Sequence, residues 1–205
     1  VYLGVEAAQK AVALRPSHPE AWVLLGKAYF NQKLRWDKAV EAFAKAHALD
    51  PDRTDYFAQY FDALRANGKL DEGAAILRQR LAAAPDDAQA HYLLATALLE
   101  QRADQASADE AQRHLERSLA LEGDVPSTRA RLAQILLEKG EGEKAAALLE
   151  QAVLLDPYHA LSRRLLARAY RQNRMVREAE AVERSARALD AYIQKKTPLE
   201  DALAA

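Results

Sequence analysis

The sequence predicts an all-α fold built as a solenoid of stacked helix pairs, and three observations carry the prediction. Apolar residues recur three and four apart almost throughout, the spacing that gathers them on one face of a helix. Runs of β-branched residues are missing, so no segment reads as a strand. Turn-forming clusters return at nearly constant intervals: Pro16, Pro51, Pro85, Gly123, Pro157 and Ala191 are separated by 35, 34, 38, 34 and 34 residues. Such a period marks a repeated supersecondary unit.

The elements follow in chain order from the breaks between them. LRPSHP at 14–19 stops the first helix, and Pro19 suits the first turn of the next. LDPDRT (49–54), AAPDDA (83–88), LEGDVP (121–126) and LDPYHA (154–159) do the same for later units. Within each interval lies a weaker stop: Asn31 to Leu34, Asn67-Gly68, Arg102 to Ser107, Gly140 to Gly142, and Asn173-Arg174. Each unit is therefore two helices joined by a short turn. The period is lengthened by one residue near Arg35 and by four near Ala103 to Ser107. A pair of helices this short cannot bury its apolar faces alone, so successive pairs must stack.

The unit resembles the tetratricopeptide repeat. The first complete copy carries Trp22, Leu25, Gly26 and Tyr29 on its first helix (helix A), then Trp36, Ala39, Phe43, Ala46 and Pro51 on and after its second (helix B). Later copies keep Leu94, Ala95, Leu98, Ala111 and Leu115; Leu132, Ala133, Leu136, Ala145, Leu149 and Ala152; and Leu166, Ala167, Tyr170, Ala179 and Ala186. The resemblance implies a right-handed α-solenoid over residues 1–205, with five repeats over 19–191. Gly4, Ala8, Ala11 and Pro16 have the spacing of a helix B, so residues 1–16 are expected to be the second helix of a truncated repeat. Residues 192–205 are expected to form a capping helix or tail, with Tyr192 and Ile193 covering the last apolar face before Pro198 interrupts the helix.

Composition excludes several functions. Acidic and basic residues nearly cancel, 30 against 29, which removes the field that draws a protein to nucleic acid. Cysteine is absent, and with it disulfides, thiolate nucleophiles and cysteine-held zinc. His18, His47, His91, His114 and His159 are scattered without paired metal spacing, and no HExxH, GxSxG or phosphate-binding glycine loop occurs. No catalytic residue, metal site or cofactor is expected. No apolar run approaches the about 18 residues of a membrane span, so direct membrane insertion of this chain is not expected. Cytoplasm and periplasm both stay open, with any membrane anchor lying outside this chain.

DYFAQYFDALRANG, residues 55–68, places Tyr56, Phe57, Tyr60 and Phe61 within six consecutive positions. A helix cannot turn four rings toward one ligand, so these read as packing and not as a cage. Phe57, Phe61 and Leu64 share a face; Tyr56 and Tyr60 lie beside it, with hydroxyls that need polar partners at its edge. Phe61 stands where the family carries Gly or Ala, and Gly73 on helix B is expected to leave room for it. Asp52 or Thr54 is expected to cap this helix. Arg80 replaces a small residue late in helix B, and its guanidinium is expected in solvent or on an acid.

The resemblance also implies that helices A line a concave groove. The residues there least committed to packing would be Lys27 and Phe30 in the first repeat and Asp55 and Asp62 in the second. Tyr92, Thr96 and Leu99 follow in the third, Gln134 and Leu137 in the fourth, and Arg164, Arg168 and Arg171 in the fifth. The three arginines stand at i, i+4 and i+7, which superposes them on one stripe whatever the family. A peptide with an apolar centre and an acidic segment near them would suit such a groove; a solvated face is the other reading. The chaperone-tail clamp of one subclass is not expected, because Val23, Lys27, Gln59, Gln89 and Leu93 stand at its positions.

The expected function is that of a protein- or peptide-binding scaffold that mediates complex assembly. Two further readings stand beside it: a noncatalytic regulatory or targeting module of a larger enzyme, and an assembly factor of the bacterial cell envelope.

Overall fold

The computed structural model describes residues 2–32, 35–101, 104–123 and 125–203, with side chains described between 4 and 188 and at 191. Lys33, Leu34, Arg102, Ala103 and Asp124, which fall in three of the expected breaks, lie outside the described residues. The described chain forms eleven α-helices and no strand. In order they are α1 (Tyr2–Leu14), α2 (Pro19–Phe30), α3 (Trp36–Leu49), α4 (Thr54–Ala66), α5 (Leu70–Ala83) and α6 (Ala88–Gln101). Then follow α7 (Gln105–Leu121), α8 (Pro126–Glu138), α9 (Gly142–Leu155), α10 (Ala160–Gln172) and α11 (Val176–Leu203). This is the alternation of A and B helices that an α-solenoid of short repeats requires. None of these helices is long and apolar enough to cross a membrane.

The helices gather into two compact units, Val1–Ser107 and Ala108–Ala205, with the boundary in the first turn of α7. In the first unit, the core is rich in rings: Tyr29, Phe43, Tyr56, Phe57, Tyr60 and Phe61 are buried with Leu25, Leu64, Leu77 and Leu94. Among the described residues, the core of the second unit contains only smaller apolar side chains, with Leu115, Leu132, Ile135, Leu149 and Leu166 packed around Ala133, Ala145, Ala152 and Ala167.

Helix starts and stops have local causes. Proline occupies the first turn of α2 and of α8, where its missing N–H has no partner to lose. The A-to-B turns end in a left-handed residue: Gly68 (φ 72°), Gly140 (φ 83°) and Arg174 (φ 61°). In each, the next N–H reaches back to a carbonyl of the finished helix: Lys69 to Leu64, Glu141 to Leu136 and Met175 to Tyr170, all at 2.8 Å. Glycine takes that conformation freely; Arg174 takes it against its own Cβ. The same turn seats Asn173 on the start of α9, where a Cβ on Gly142 would overlap Asn173 Oδ1.

Two expectations are corrected. Neither Asp52 nor Thr54 caps α4: Arg53 holds the N-cap position without a side-chain cap, and Thr54 is already helical. Arg53 instead pairs with Asp55, which is in the first turn of the helix. Nor does Pro198 break the last helix, since α11 continues to Leu203. Gln194 to Lys196 before it and Leu199, Glu200, Ala202 and Leu203 after it favour helix, so its flanks oppose the break. The side chains of Tyr192 and Ile193 lie outside the described residues.

Candidate functional site

The aromatic run is core. Phe57 and Phe61 are each 1% exposed, and the Tyr56 and Tyr60 hydroxyls leave the packing to donate to Glu20 Oε1 (3.1 Å) and Glu72 Oε1 (3.4 Å). A Cβ on Gly73 would lie 3.1 Å from the Phe61 ring, so the missing side chain does face the extra ring. His47, at the end of α3, meets Phe57 edge-on at 5.2 Å and stacks at 6.2 Å on Tyr60. Arg80 lies over Phe57 at 5.6 Å, donates to the Pro51 carbonyl at 2.9 Å and pairs with Asp87 Oδ2 at 2.5 Å. The acid, not solvent, receives Arg80. The other Asp87 oxygen accepts the Ala90 N–H at 2.9 Å in the first turn of α6.

On the A helices of the first unit the groove positions are mixed. Lys27 is exposed, whereas Phe30 is half-buried edge-on against Trp36 at 5.0 Å. Asp55 is gripped by Arg53 at 2.9 and 3.0 Å, and that hydrogen bonding holds its carboxyl below the usual range. Asp62 pairs with Arg65 at 3.1 Å; the same guanidinium reaches Glu100 at 3.3 Å. Partial desolvation pushes the Asp62 carboxyl up in spite of that partner. Tyr92 and Leu99 are both half-buried on α6. Thr96 is 5% exposed, and its hydroxyl donates to the Tyr92 carbonyl of its own helix at 3.0 Å, so it presents no polar group. Both acids on this surface are thus already neutralised by neighbours.

The second unit differs. Its α10 buries Ser162, Leu165, Leu166 and Ala169 on one side and leaves Arg164, Arg168 and Arg171 exposed on the other. His159 begins the helix, its Nδ1 accepting the Ser162 N–H at 3.4 Å. The three arginines line one cleft of about 970 Å3, with Gln134 of α8 and Glu183 and Arg187 of α11 also on its walls. Leu161, Leu165 and Ala167 give it apolar surface. Leu137 of α8 does not reach it, being buried at 3% exposure.

Inside the cleft the charges are unequal. Arg171 Nη2 pairs with Glu183 Oε1, and Arg187 Nη2 lies 3.9 Å from Glu183 Oε2. Among the described residues Arg164 and Arg168 have no ion-pair partner. Sequence reasoning singles out neither Glu183 nor Arg187. Their i, i+4 spacing on α11 marks a shared face, but only the packing of α11 on α10 turns that face into the cleft.

Comparisons with known proteins agree with this architecture. A family model described as tetratricopeptide repeat matches residues 35–97 and 98–157, and a second so described matches 3–54 and 130–193. No curated protein matches the chain. Among solved structures, TTC0263, a thermophilic tetratricopeptide protein of Thermus thermophilus, is 19% identical with a TM-score of 0.68, over 88% of this chain and 98% of that one. Yeast Tom70 is 22% identical with a TM-score of 0.73, over 98% of this chain and 43% of that one. YrrB, described as a tetratricopeptide protein with an unusual peptide-binding site, is 17% identical with a TM-score of 0.57, over 89% of this chain and 91% of that one. At these identities the solved structures speak for the fold.

Proposed function

From the premise that the chain belongs to the tetratricopeptide repeat family, we propose that it is a noncatalytic scaffold that binds an acidic peptide segment of a partner protein in the α8–α10–α11 cleft. One observation carries the reading: Arg164 and Arg168, one helical turn apart, share a cleft and have no ion-pair partner among the described residues. Like charges at i, i+4 repel, and a carboxylate placed against both relieves that repulsion. The apolar wall from Leu161 and Leu165 supplies burial beside the charge, which an amphipathic segment satisfies and a lone anion does not. The peptide-binding site of YrrB gives this fold a precedent for such use. The helix-A positions of the first unit, Lys27, Phe30, Asp55, Asp62, Tyr92 and Leu99, are a weaker surface because their acids are already paired.

Fluorescence anisotropy with a labelled amphipathic peptide of about 15 residues, carrying leucines on one face and glutamates at i, i+4 on the other, tests the reading. Replacing Arg164, Arg168 and Arg171 together by Gln should weaken binding roughly threefold to 150-fold, since each exposed ion pair contributes roughly 0.2–1 kcal/mol. Added salt should weaken the native complex more than the variant complex. The glutamine version of the peptide should bind native protein no better than the variant does. Equal affinity of native and triple-variant protein for the glutamate peptide would reject the cleft as the recognition site.

A further inference from the structure

Glu183 occupies a peculiar position. It projects from α11 into a cleft whose other charged residues are all arginines, is the only acid on the described wall, and is 27% exposed while its partner Arg171 is 56% exposed. One carboxylate oxygen pairs with Arg171 and the other faces Arg187. A carboxylate held between two guanidiniums is what an acidic ligand would itself contribute. We infer that Glu183 is an internal competitor: it fills the Arg171 end of the cleft until a partner carboxylate displaces it, and leaves Arg164 and Arg168 to make the first contact. The inference rests on the cleft being the site of acidic-peptide binding and adds a regulation to it.

Two features favour competition over a purely structural ion pair. The Arg171 side of the pair with Glu183 is open to solvent, and a pair only partly withdrawn from water contributes little to folding, so it can be opened. Glu183 also stands on the helix that follows α10 directly, so its effective concentration at Arg171 is set by the fold and not by partner concentration. An incoming segment with a single carboxylate is met by Arg164 and Arg168 alone. A second carboxylate engages Arg171 only by evicting Glu183, so the pair filters weakly acidic segments from strongly acidic ones.

The test uses the same glutamate peptide and anisotropy readout. Glu183→Gln keeps the side chain's size and removes its charge, and should tighten binding roughly two- to fivefold, the value of a freed surface pair. In a background with both Arg171→Gln and Arg187→Gln the same substitution should give no gain, because both arginines it frees are gone. Thermal unfolding followed by circular dichroism checks that each variant is folded; Glu183→Met, of similar length, replaces the Gln variant if that one is not. Equal affinity of native and Glu183→Gln protein overturns the competitor and leaves the cleft reading standing, as does a gain that persists without both Arg171 and Arg187. Failure of both proteins to bind the probe overturns the cleft reading and the competitor together. Binding by the Glu183→Gln variant alone supports the competitor in its strongest form.

Discussion

The helix pairs α2/α3 and α4/α5 solve one packing problem with opposite allocations of volume. In the first, Gly26 on helix A lets the Phe43 ring of helix B press onto its backbone; a Cβ there would lie 2.6 Å from the ring. In the second, helix A supplies the ring, Phe61, and helix B supplies the gap, Gly73, with 3.1 Å between an added Cβ and the ring. Leu77 then stands in helix B one repeat after Phe43 and is fully buried. The backbones of α4 and α5 approach less closely than those of α2 and α3, as expected when both Phe61 and Leu77 must fit between them. What the two pairs share is therefore one ring set against one glycine, and not the residue at either position.

The largest effect should come from removing the transplanted ring. Phe61→Ala should cost about 3–5 kcal/mol in denaturant unfolding through lost burial and a cavity facing Gly73. Phe43→Ala should cost a similar amount, and a near-neutral Phe61→Ala would break the equivalence of the two pairs.

Overpacking comes next. Gly26→Ala and Gly73→Leu should each cost about 1–3 kcal/mol, the first because a ring already lies inside contact distance, the second because a whole side chain enters a space made for none. Gly73→Ala should be far milder, within about 0.5 kcal/mol of neutral, because a helix-propensity gain of about 1 kcal/mol offsets the tight contact with Phe61. Equal penalties for alanine at the two glycines would refute the difference in spacing.

A pH titration sharpens the contrast more gently, since the rings of α4 pack against the His47 imidazole of α3. Desolvation, followed by the charge of Arg80, holds the His47 pKa below its ordinary 6.5. The folded state therefore resists a proton that the unfolded chain accepts, so His47 contributes stability above pH 6.5 that is lost as pH falls toward its folded value. Unfolding followed from about pH 7.5 to about pH 5 should show a shallower decline in His47→Gln than in native protein. Identical slopes would remove His47 from the account.

The smallest effect concerns the turn joining α4 to α5. Gly68 has φ 72° and open space around an added Cβ, so Gly68→Ala should cost about 1 kcal/mol through backbone strain alone. Arg174 has the same conformation at its own turn, and Arg174→Gly should recover up to about the same amount. Melting temperatures of the two variants should move in opposite directions.

The periodic part of this molecule is legible in the sequence because it is local. Apolar spacing, prolines at helix starts and glycines at turns place ten breaks between eleven helices, and the unusual Phe61 predicts its partner Gly73. Legibility fails where a residue's role depends on what another segment brings to it. Family geometry assigns Thr96 and Leu137 to a groove, but Thr96 satisfies its hydroxyl on its own helix and Leu137 is covered by packing. Arg80 can be narrowed to solvent or an acid, yet only the fold brings Asp87 to it. Arg164 and Arg168 emerge from spacing alone, whereas the pairing of Arg171 with Glu183 requires α11 in place.

Asn173 resting on Gly142 makes one repeat's turn part of the start of the preceding repeat's second helix. In a linear array, stability divides between what each unit holds by itself and what neighbouring units share, and cooperativity grows with the shared part. Glycine is a poor residue with which to begin a helix on its own, so α9 starts at a site weak in isolation and strong only beneath a folded neighbour. Melting of the α10–α11 turn should therefore uncover that start and let disorder spread to α9, which hydrogen exchange would show as matched opening of the α9 start and the turn.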